Sequence, residues 1–114
     1  MGSCLFCGIA AGEIPSTQVY ADDEFLAFRD IDPKAPVHVL VIPRRHVAAV
    51  RDLGAEDQDL AGRLLLVAAR VAAAEGLAER GYRLVVNCGD EGGQTVPHLH
   101  LHLLGGRPLR WPPG

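Results

Sequence analysis

Histidine and leucine alternate along residues 98–104, the most regular pattern of polar and apolar positions in the chain. Successive side chains of a β-strand point to opposite faces of the sheet, whereas a helix would spread these histidines around its axis. A strand is therefore predicted here, with two faces of different character. Its apolar face, which packs in a core, consists of Leu99, Leu101 and Leu103, and its polar face presents His98, His100 and His102.

Three imidazoles on one face of a strand indicate a functional site and not a contribution to the stability of the fold. Imidazole is buried poorly, and neighbouring imidazoles repel one another once they are protonated. The plain alternative is a row of solvent-exposed histidines on the wet face of an antiparallel strand. A site that handles protons, a metal ion or a phosphate group is the favoured interpretation.

A longer segment has apolar residues spaced four, three and four positions apart, which predicts an amphipathic helix. Acidic residues crowd its start, where the helix dipole favours them, and Gly76 and Gly81 bracket its end. The apolar face of this long helix consists of Leu60, Leu64, Val67 and Val71.

Shorter apolar runs predict the remaining elements. The segment 37–42 is the richest in β-branched residues and predicts a central strand that ends at Pro43. The others are a short helix at 4–9, a hairpin with strands at 19–21 and 25–28, and a strand at 82–87. Together they predict one α+β domain over residues 1–114, on an antiparallel sheet of about five strands. Residues 107–114 are expected to form an irregular tail, whose Trp111 needs cover from this chain or from a partner.

Composition narrows the range of partners. The chain has 114 residues, 48% of them hydrophobic, which suffices for one domain with its own core. The net charge is −3 and the longest basic run is Arg44-Arg45. Nucleic-acid backbones are bound largely through Lys and Arg, so no nucleic acid is expected as a partner. A single phosphate needs only a few local donors, so a mononucleotide is compatible with this composition.

Neither a membrane segment nor a secretion signal is predicted. The chain has no run of about 18 apolar residues, and its first residues lack the basic start and cleavage pattern of a signal peptide. Three cysteines, an odd number, do not make a secreted disulfide framework. We therefore expect a cytoplasmic protein.

The glycine-rich segment 87–95 leads directly into the histidine strand. Glycine lets backbone N–H groups approach a ligand closely, and successive N–H groups can form a nest for an anion. A plain hairpin turn is the alternative. Joined to the histidine strand, the segment would place anion donors beside imidazole nitrogens, which suits nucleophilic attack on phosphorus.

Cys4 and Cys7 have the spacing that supplies half of a tetrahedral zinc site. His46 and His98 are the candidates for the other two ligands of a closed, structural zinc. Two alternatives stay open, since the thiols could be small buried hydrophobic groups or a redox pair. The redox reading is the weaker one because no thioredoxin-like pattern surrounds them. Cys88 is interpreted as a packing residue.

Residues 98–104 resemble the histidine triad (HIT) motif, in which histidines alternate with apolar residues and two apolar residues follow the last histidine. The resemblance covers nearly the full chain and follows the order of the Hint branch, the nucleotide-binding purine phosphoramidases. It implies a HIT-like fold that dimerises through the long helix and the C-terminal strand. Some bacterial relatives are also similar in using the four-ligand zinc set. The matching segments are 13–15, 28–31, 35–38, 41–43, 92–95 and 111–114.

The resemblance implies hydrolysis through a nucleotidyl-histidine intermediate. His100 would attack the α-phosphorus of a nucleotide, with its other ring nitrogen held by the backbone carbonyl of His98. His102 would donate to the phosphate, and His38 would support the triad by hydrogen bonding. The alternative for His38 is a half-buried histidine on the sheet. Thr95 stands where Hint proteins usually have serine, and its hydroxyl could assist the phosphate or the leaving group.

The same resemblance implies a site for a purine nucleoside monophosphate. Asp30 would bind the ribose hydroxyls, although a turn-forming role before Pro33 is the alternative. The glycine-rich loop would face the phosphate and ribose through Asn87, Gly93 and Gln94. The base would lie against Leu5, Phe6, Ile9, Phe28 and Ile31, which the pattern alone would assign to the core. Neither the identity of the purine nor the physiological leaving group follows from these residues.

Three other functions are compatible with the sequence. A metal enzyme could bind its ion through two triad histidines and His38, since the outer two triad histidines lie about 13 Å apart along a strand. A nucleotide-binding interaction protein with little catalysis would keep the same pocket. A dinucleoside polyphosphate hydrolase of the Fhit branch would do so too, but the short chain and the tail with Trp111 disfavour it.

Overall fold

One antiparallel sheet organises residues 4–114, the part of the chain that this computed structural model describes. Within that part the sheet has five strands in the order β1-β2-β3-β5-β4, so the strand predicted to be central is central. The strands are β1 (Gln18–Ala21), β2 (Phe25–Arg29), β3 (Val37–Pro43), β4 (Tyr82–Val85) and β5 (Leu101–Gly105). The helices are α1 (Leu5–Ala10), α2 (Gln58–Ala74) and the single turn α3 (Gly89–Gly92). The predicted α+β architecture is confirmed.

The long helix α2 covers one face of the sheet with the apolar face predicted for it. The helix ends at Ala74, and Gly76 follows at φ 78°, a left-handed conformation that glycine accepts without strain. Its buried residues pack against every second side chain of the central strands, namely Phe25, Ala27, Val39, Val41, Leu101 and Leu103. The leucines of the histidine segment therefore face the core, as predicted.

The short helix α1 covers part of the opposite face. Phe6 and Ile9 are its buried residues, and they pack against the alternate side chains of β2 and β3. These two strands are consequently buried on both faces, which explains why their sequences read as continuous apolar runs. The strand residues of this second cluster are Leu26, Phe28, Leu40 and Ile42.

The strand that carries the triad begins later than predicted. β5 starts at Leu101, so His98 and His100 lie in irregular backbone just before it and only His102 lies in the strand. The prediction of one strand from residue 98 was wrong in this respect. The burial of the alternating leucines, on which that prediction rested, is nevertheless confirmed.

Pro43 explains where the ladder between β3 and β5 stops. The last pair of that ladder is Val41 with Leu101, and Pro43, two residues further along β3, has no N–H to donate. Its carbonyl oxygen accepts a hydrogen bond from the ring Nε2 of His98 at 2.8 Å instead. A side chain of the triad thus takes the place that a backbone pair would have occupied.

Two smaller expectations are corrected, and one of the two kinds of cover expected for Trp111 is excluded. β4 ends at Val85, two residues earlier than predicted. The glycine-rich segment is not a plain turn, because it forms the single helical turn α3, which ends at Gly93 with φ 85°. Trp111 finds no cover in the described part of the chain, where 80% of its surface is exposed.

The tail beyond Gly105 contains no helix or strand, in agreement with the irregular C-terminal segment expected from the sequence. Arg83 fastens it by donating to the carbonyl oxygens of Leu109 and Arg110, at 3.2 and 2.8 Å. Among residues 4–114, no helix combines the length and the apolar character that crossing a membrane requires.

Candidate active site

One ring nitrogen of His100 is hydrogen-bonded to the backbone, and the other has no hydrogen-bond partner among residues 4–114. Its Nδ1 lies 2.7 Å from the carbonyl oxygen of His98, and a carbonyl can only accept, so Nδ1 carries the proton. The lone pair of neutral His100 is therefore on Nε2. Only 5% of the residue surface is exposed, and the ring of Phe6 stacks edge-on to it at 5.1 Å. The arrangement holds one tautomer of this imidazole in one orientation.

His102 receives its tautomer through a relay that starts at the backbone. The N–H of Lys34 donates to Nδ1 of His38 at 3.0 Å, so His38 carries its proton on Nε2. That Nε2 lies 2.9 Å from Nδ1 of His102 and donates to it. The remaining nitrogen of His102, Nε2, consequently carries a proton that it can donate to a ligand. The half-buried sheet histidine considered for His38 is in fact buried and bonded on both nitrogens.

Asp30 contributes to this relay and to the local turn at the same time. Its Oδ1 accepts from the N–H of Asp32 at 2.8 Å, so the turn-forming role considered from the sequence is present. Its Oδ2 lies 3.4 Å from Nε2 of His38. Each carboxylate oxygen has a second lone pair, so Asp30 keeps the capacity to accept from a ligand.

A cavity of about 290 Å³ opens beside these groups. Its polar lining consists of Ser16, Arg29, Asp30, Thr95, His100 and His102. The residues expected to enclose a purine all line it, with Ile31 fully exposed at its edge. These apolar lining residues are Leu5, Phe6, Ile9, Phe28 and Ile31.

The glycine-rich loop is the part of the predicted site that does not reach this cavity. Asn87, Gly93 and Gln94 are absent from its wall, and Thr95 is the only residue of segment 87–95 on it. The Gln94 side chain instead ties the loop together, because its amide nitrogen donates to the carbonyl oxygens of Ala48 and Val96 and its amide oxygen accepts from the N–H of Gly89. The loop therefore positions Thr95.

Several cavity residues were missed from the sequence. Leu40 lies two residues after His38 on β3 and pairs with His102 across the sheet, so the strand period could have placed it on this face. Arg29, the last residue of β2, also lines the cavity and was missed. The remaining missed residues lie in irregular segments, where no period exists to reveal them. They are Ile14, Pro15, Ser16 and Val96.

The candidate zinc ligands meet as predicted from their chemistry. One donor atom from each of Cys4, Cys7, His46 and His98 can be chosen so that all lie within 4.8 Å of one another. Nδ1 of His98 is 3.4 and 3.6 Å from the two sulfur atoms, and Nδ1 of His46 is 3.2 Å from Sγ of Cys7. Tetrahedral zinc with its usual bond lengths separates sulfur and nitrogen ligands by about 3.6 Å, so the donor set fits a zinc ion.

The ring of His98 is oriented for such a site. Because Nε2 donates to the carbonyl oxygen of Pro43, the lone pair of the neutral ring is on Nδ1 and faces the thiols. Cys4, Cys7 and Cys88 are all free thiols. A second group of possible ligands is formed by Asp30, His38 and His102. There the two imidazoles already bond to each other.

Burial favours the neutral form of three imidazoles of the site, those of His38, His98 and His102. The pKa of His102 is lowered from 6.5 to about 4, mainly by burial and further by His100 and His38, against an opposing effect of Asp30. Burial is also the main cause of the lowered pKa of His38 and of His98. A neutral imidazole can act as a hydrogen-bond donor or as a metal ligand, which is what this geometry requires of these three side chains.

This shift predicts a pH dependence of stability with a defined sign. The pKa of His102 is lower in the folded chain, so the unfolded chain takes up its proton first as the pH falls. We expect the free energy of unfolding to be unaffected by His102 above pH 6.5 and to fall between pH 6.5 and about 4. Urea unfolding at several pH values should give a shallower slope in this window for His102→Asn. Equal slopes in the two proteins would contradict the assignment.

A buried imidazole with a free Nε2, a second imidazole donating beside it and a hydroxyl at the mouth of one apolar cavity define a histidine triad site. A family model of the HIT domain matches residues 11–109. The chain belongs to the HIT domain family, and the resemblance inferred from the sequence is confirmed.

Individual relatives agree with this assignment. The chain is 52% identical to the purine nucleoside phosphoramidase of Escherichia coli over 105 residues, which cover 92% of this chain and 88% of that protein. It is 57% identical to a HIT-like protein of Synechococcus elongatus, over 96% of each chain. The crystal structure of a HIT family hydrolase from Legionella pneumophila superposes with a TM-score of 0.97 at 55% identity, covering 98% of this chain and all of that one. The protein is thus a hydrolase of the HIT family.

Proposed function

We propose that this hydrolase cleaves a phosphoramidate or related bond on a purine nucleoside monophosphate through a nucleotidyl intermediate on His100. The observation that carries the proposal is the fixed tautomer of His100, whose free Nε2 belongs to a ring on the wall of a nucleotide-sized cavity. The name of the E. coli relative supports the same bond type. The sequence prediction and the geometry thus lead to one reaction.

The first step is a displacement at phosphorus. Nε2 of His100 forms a bond to the α-phosphorus while the bond from phosphorus to the leaving nitrogen breaks. The leaving amine takes a proton, for which Nε2–H of His102 and the hydroxyl of Thr95 are the available donors. In the second step water attacks the same phosphorus and gives its proton to the group that protonated the amine, while the bond from phosphorus to Nε2 breaks and His100 leaves as a neutral imidazole.

The remaining predicted residues act as binding and positioning groups in this proposal. The purine lies between the apolar side chains of α1 and β2, and Asp30 accepts from the ribose hydroxyls. Asn87, Gly93 and Gln94 contribute through the loop that carries Thr95, since they do not line the cavity. His38 orients His102 through the relay described above.

A rapid-mixing experiment tests the covalent intermediate. The protein is mixed with adenosine 5′-phosphoramidate, quenched within milliseconds and analysed by mass spectrometry of its peptides. We expect one nucleotidyl group on the peptide that contains His100. Hydrolysis without any such adduct would contradict the mechanism. Binding with neither an adduct nor hydrolysis would favour an interaction protein, and faster cleavage of a dinucleoside polyphosphate would favour the Fhit-type activity.

Replacing Asp30 by asparagine tests the ribose contact. Hydrogen bonds to a charged acceptor contribute enough that we expect KM for the ribonucleoside substrate to rise about tenfold. KM for the matched 2′-deoxy substrate should rise less, because only one of the two hydroxyls remains to be bound by the carboxylate. Asp32→Asn is the control, since Asp32 is exposed and pairs with Lys34 at 2.7 Å. Equal losses on both substrates would instead assign Asp30 to the turn or to His38.

A structural zinc ion bound by Cys4, Cys7, His46 and His98 is part of the proposal. The fit of the donor set and the orientation of the His98 ring support it. When bound, the ion would supply a closed four-ligand cross-link between α1 and the segments that carry the two histidines. No catalytic cofactor is required by the reaction as written.

A homodimer and a cytoplasmic location complete the proposal. Leu65 and Leu66 leave more than half of their surface exposed on α2, and Trp111 is exposed on the tail. A second copy packed through α2 and the C-terminal strand would cover such apolar surface. The three free cysteines suit a reducing compartment.

A further inference from the structure

The cluster of metal-ligand candidates and the apolar wall of the nucleotide cavity are built on the same six-residue helix. Leu5, Phe6 and Ile9 of α1 line the cavity. Cys4 caps the N-terminus of the helix, with its sulfur 3.3 Å from the N–H of Cys7, and both thiols face the histidine pair. The position of α1 therefore determines the shape of the cavity.

Phe6 is the side chain that touches both sites. It lies between Cys4 and Cys7 in the sequence and is only 4% exposed. Its ring packs edge-on against His98 at 6.0 Å, on the side of the metal-ligand candidates, and against His100 at 5.1 Å. It also packs against Phe28, across the purine wall, at 5.5 Å.

His98 provides a second connection between the two sites. Its Nδ1 faces the thiols, while its backbone carbonyl oxygen accepts a hydrogen bond from Nδ1–H of His100, with nitrogen and oxygen 2.7 Å apart. A change in the position of His98 therefore changes the group that holds the tautomer of His100. The helix and this residue are the two physical links between the sites.

A helix of six residues has little stability of its own, since isolated helices need about twelve or more residues. Besides the packing of its side chains, contacts to α1 include a hydrogen bond from Arg44 to the carbonyl oxygen of Ala10 at 2.8 Å and sulfur–nitrogen contacts of 3.2–3.6 Å. Replacing those weak contacts by coordinate bonds would restrict α1 to the position seen here.

We propose that metal binding at Cys4, Cys7, His46 and His98 and nucleotide binding are positively coupled through α1, with Phe6 as the positioning residue. The inference rests on the proposed function, because it assumes that the cavity binds a nucleotide. In the metal-free protein, a nucleotide must order α1 at the expense of its own binding free energy. With the metal bound, this ordering has already taken place.

The first test measures both binding constants. The dissociation constant of AMP is determined by calorimetry on protein loaded with one zinc per chain and on protein freed of metal by chelation. We expect AMP to bind the loaded protein about tenfold more tightly. Because coupling is reciprocal, saturating AMP should raise the affinity for zinc by the same factor, measured by competition with a chelating dye. Equal AMP affinities in the two forms would overturn the inference and leave the proposed function intact.

The second test separates the coupling from simple folding of the helix. Phe6→Leu keeps an apolar side chain but removes the ring, so it should still bind one zinc per chain and show a coupling factor clearly below that of the wild-type protein, with the remainder transmitted by His98. Cys88→Ser, which alters a cysteine outside the cluster, should retain the full factor. An unchanged factor in Phe6→Leu would overturn the role of Phe6.

Two further outcomes are distinguishable. If AMP binds neither form, the proposed function fails together with the inference. If AMP binds but no zinc is taken up at one equivalent per chain, the inference and the proposed structural zinc fail, whereas the proposed hydrolysis is unaffected. Circular dichroism of the chelated protein, recorded beside each titration, reports whether the sheet and α2 remain folded.

Discussion

Replacing His100 by alanine should abolish the turnover of a nucleoside phosphoramidate. The nucleophile forms the covalent bond to phosphorus, and neighbouring groups cannot substitute for it, so we expect kcat to fall by at least about three orders of magnitude. Binding should survive, because the cavity wall consists mainly of other side chains. The measurement is steady-state hydrolysis of adenosine 5′-phosphoramidate, together with AMP affinity by calorimetry.

His102→Ala is the matched control for this experiment. It removes the neighbouring imidazole and its Nε2–H but leaves the tautomer of His100 in place, because that tautomer depends on the carbonyl of His98. The variant should therefore still accumulate the nucleotidyl adduct, although more slowly than the wild-type protein. If His100→Ala retained undiminished turnover in a correctly folded protein, the covalent mechanism would be wrong.

Replacing Cys4 by serine should remove both the metal and a large part of the stability. A ligand that binds only the folded chain stabilises it by about 4 kcal/mol when its free concentration is a thousandfold above its dissociation constant. For a chain of this size the loss should lower the thermal midpoint by more than about 10 °C. Metal content by mass spectrometry and thermal unfolding by circular dichroism measure the two effects.

Chelation and Cys88→Ser serve as controls for the metal prediction. Treatment of the wild-type protein with EDTA should lower its midpoint to that of Cys4→Ser, whereas Cys88→Ser should keep both metal and midpoint. The chelated protein should stay chemically competent toward the phosphoramidate at saturating substrate. Complete and reversible loss of chemistry on chelation would instead favour a catalytic metal, for which Asp30, His38 and His102 are the available group. An unchanged midpoint after chelation would refute the structural zinc.

Much of the fold was predictable because residues that face the core are apolar and recur at the period of the helix or strand that carries them. The four-three-four spacing of α2 and the alternating leucines before and within β5 both faced the core, as expected. The start of β5 was not predictable from this pattern. Irregular backbone can bury alternate side chains as well as a strand can, and the ladder ends because Pro43 has no N–H to pair.

The candidate site was predictable in its chemistry but only partly in its layout. The triad motif indicated which histidine has its nitrogen fixed by the backbone, and Phe6, Phe28 and Asp30 do lie on the cavity wall. Gln94 was assigned to the ligand, yet all its contacts are to backbone groups of nearby segments. A polar side chain in a loop can form hydrogen bonds with a ligand or with the backbone, and no local sequence pattern distinguishes the two.

The exposure of Trp111 was likewise not predictable from the sequence. Its size predicts burial, and in the described chain its ring is exposed, with the guanidinium of Arg83 6.0 Å from it. The role of an exposed apolar side chain depends on which molecule packs against it. The dimer proposed above is the simplest such partner.

The residue types and spacings alone established the elements, the face on which the histidines lie relative to the leucines, and the presence of four candidate zinc ligands. The three-dimensional arrangement was needed to bring Cys4 within 3.4 Å of a histidine 94 positions away, and to give each imidazole its tautomer. The physical reason is the range of the forces involved. Apolar periodicity is a local property of the chain, whereas the proton on an imidazole is placed by whichever distant backbone donor or acceptor the fold sets against it.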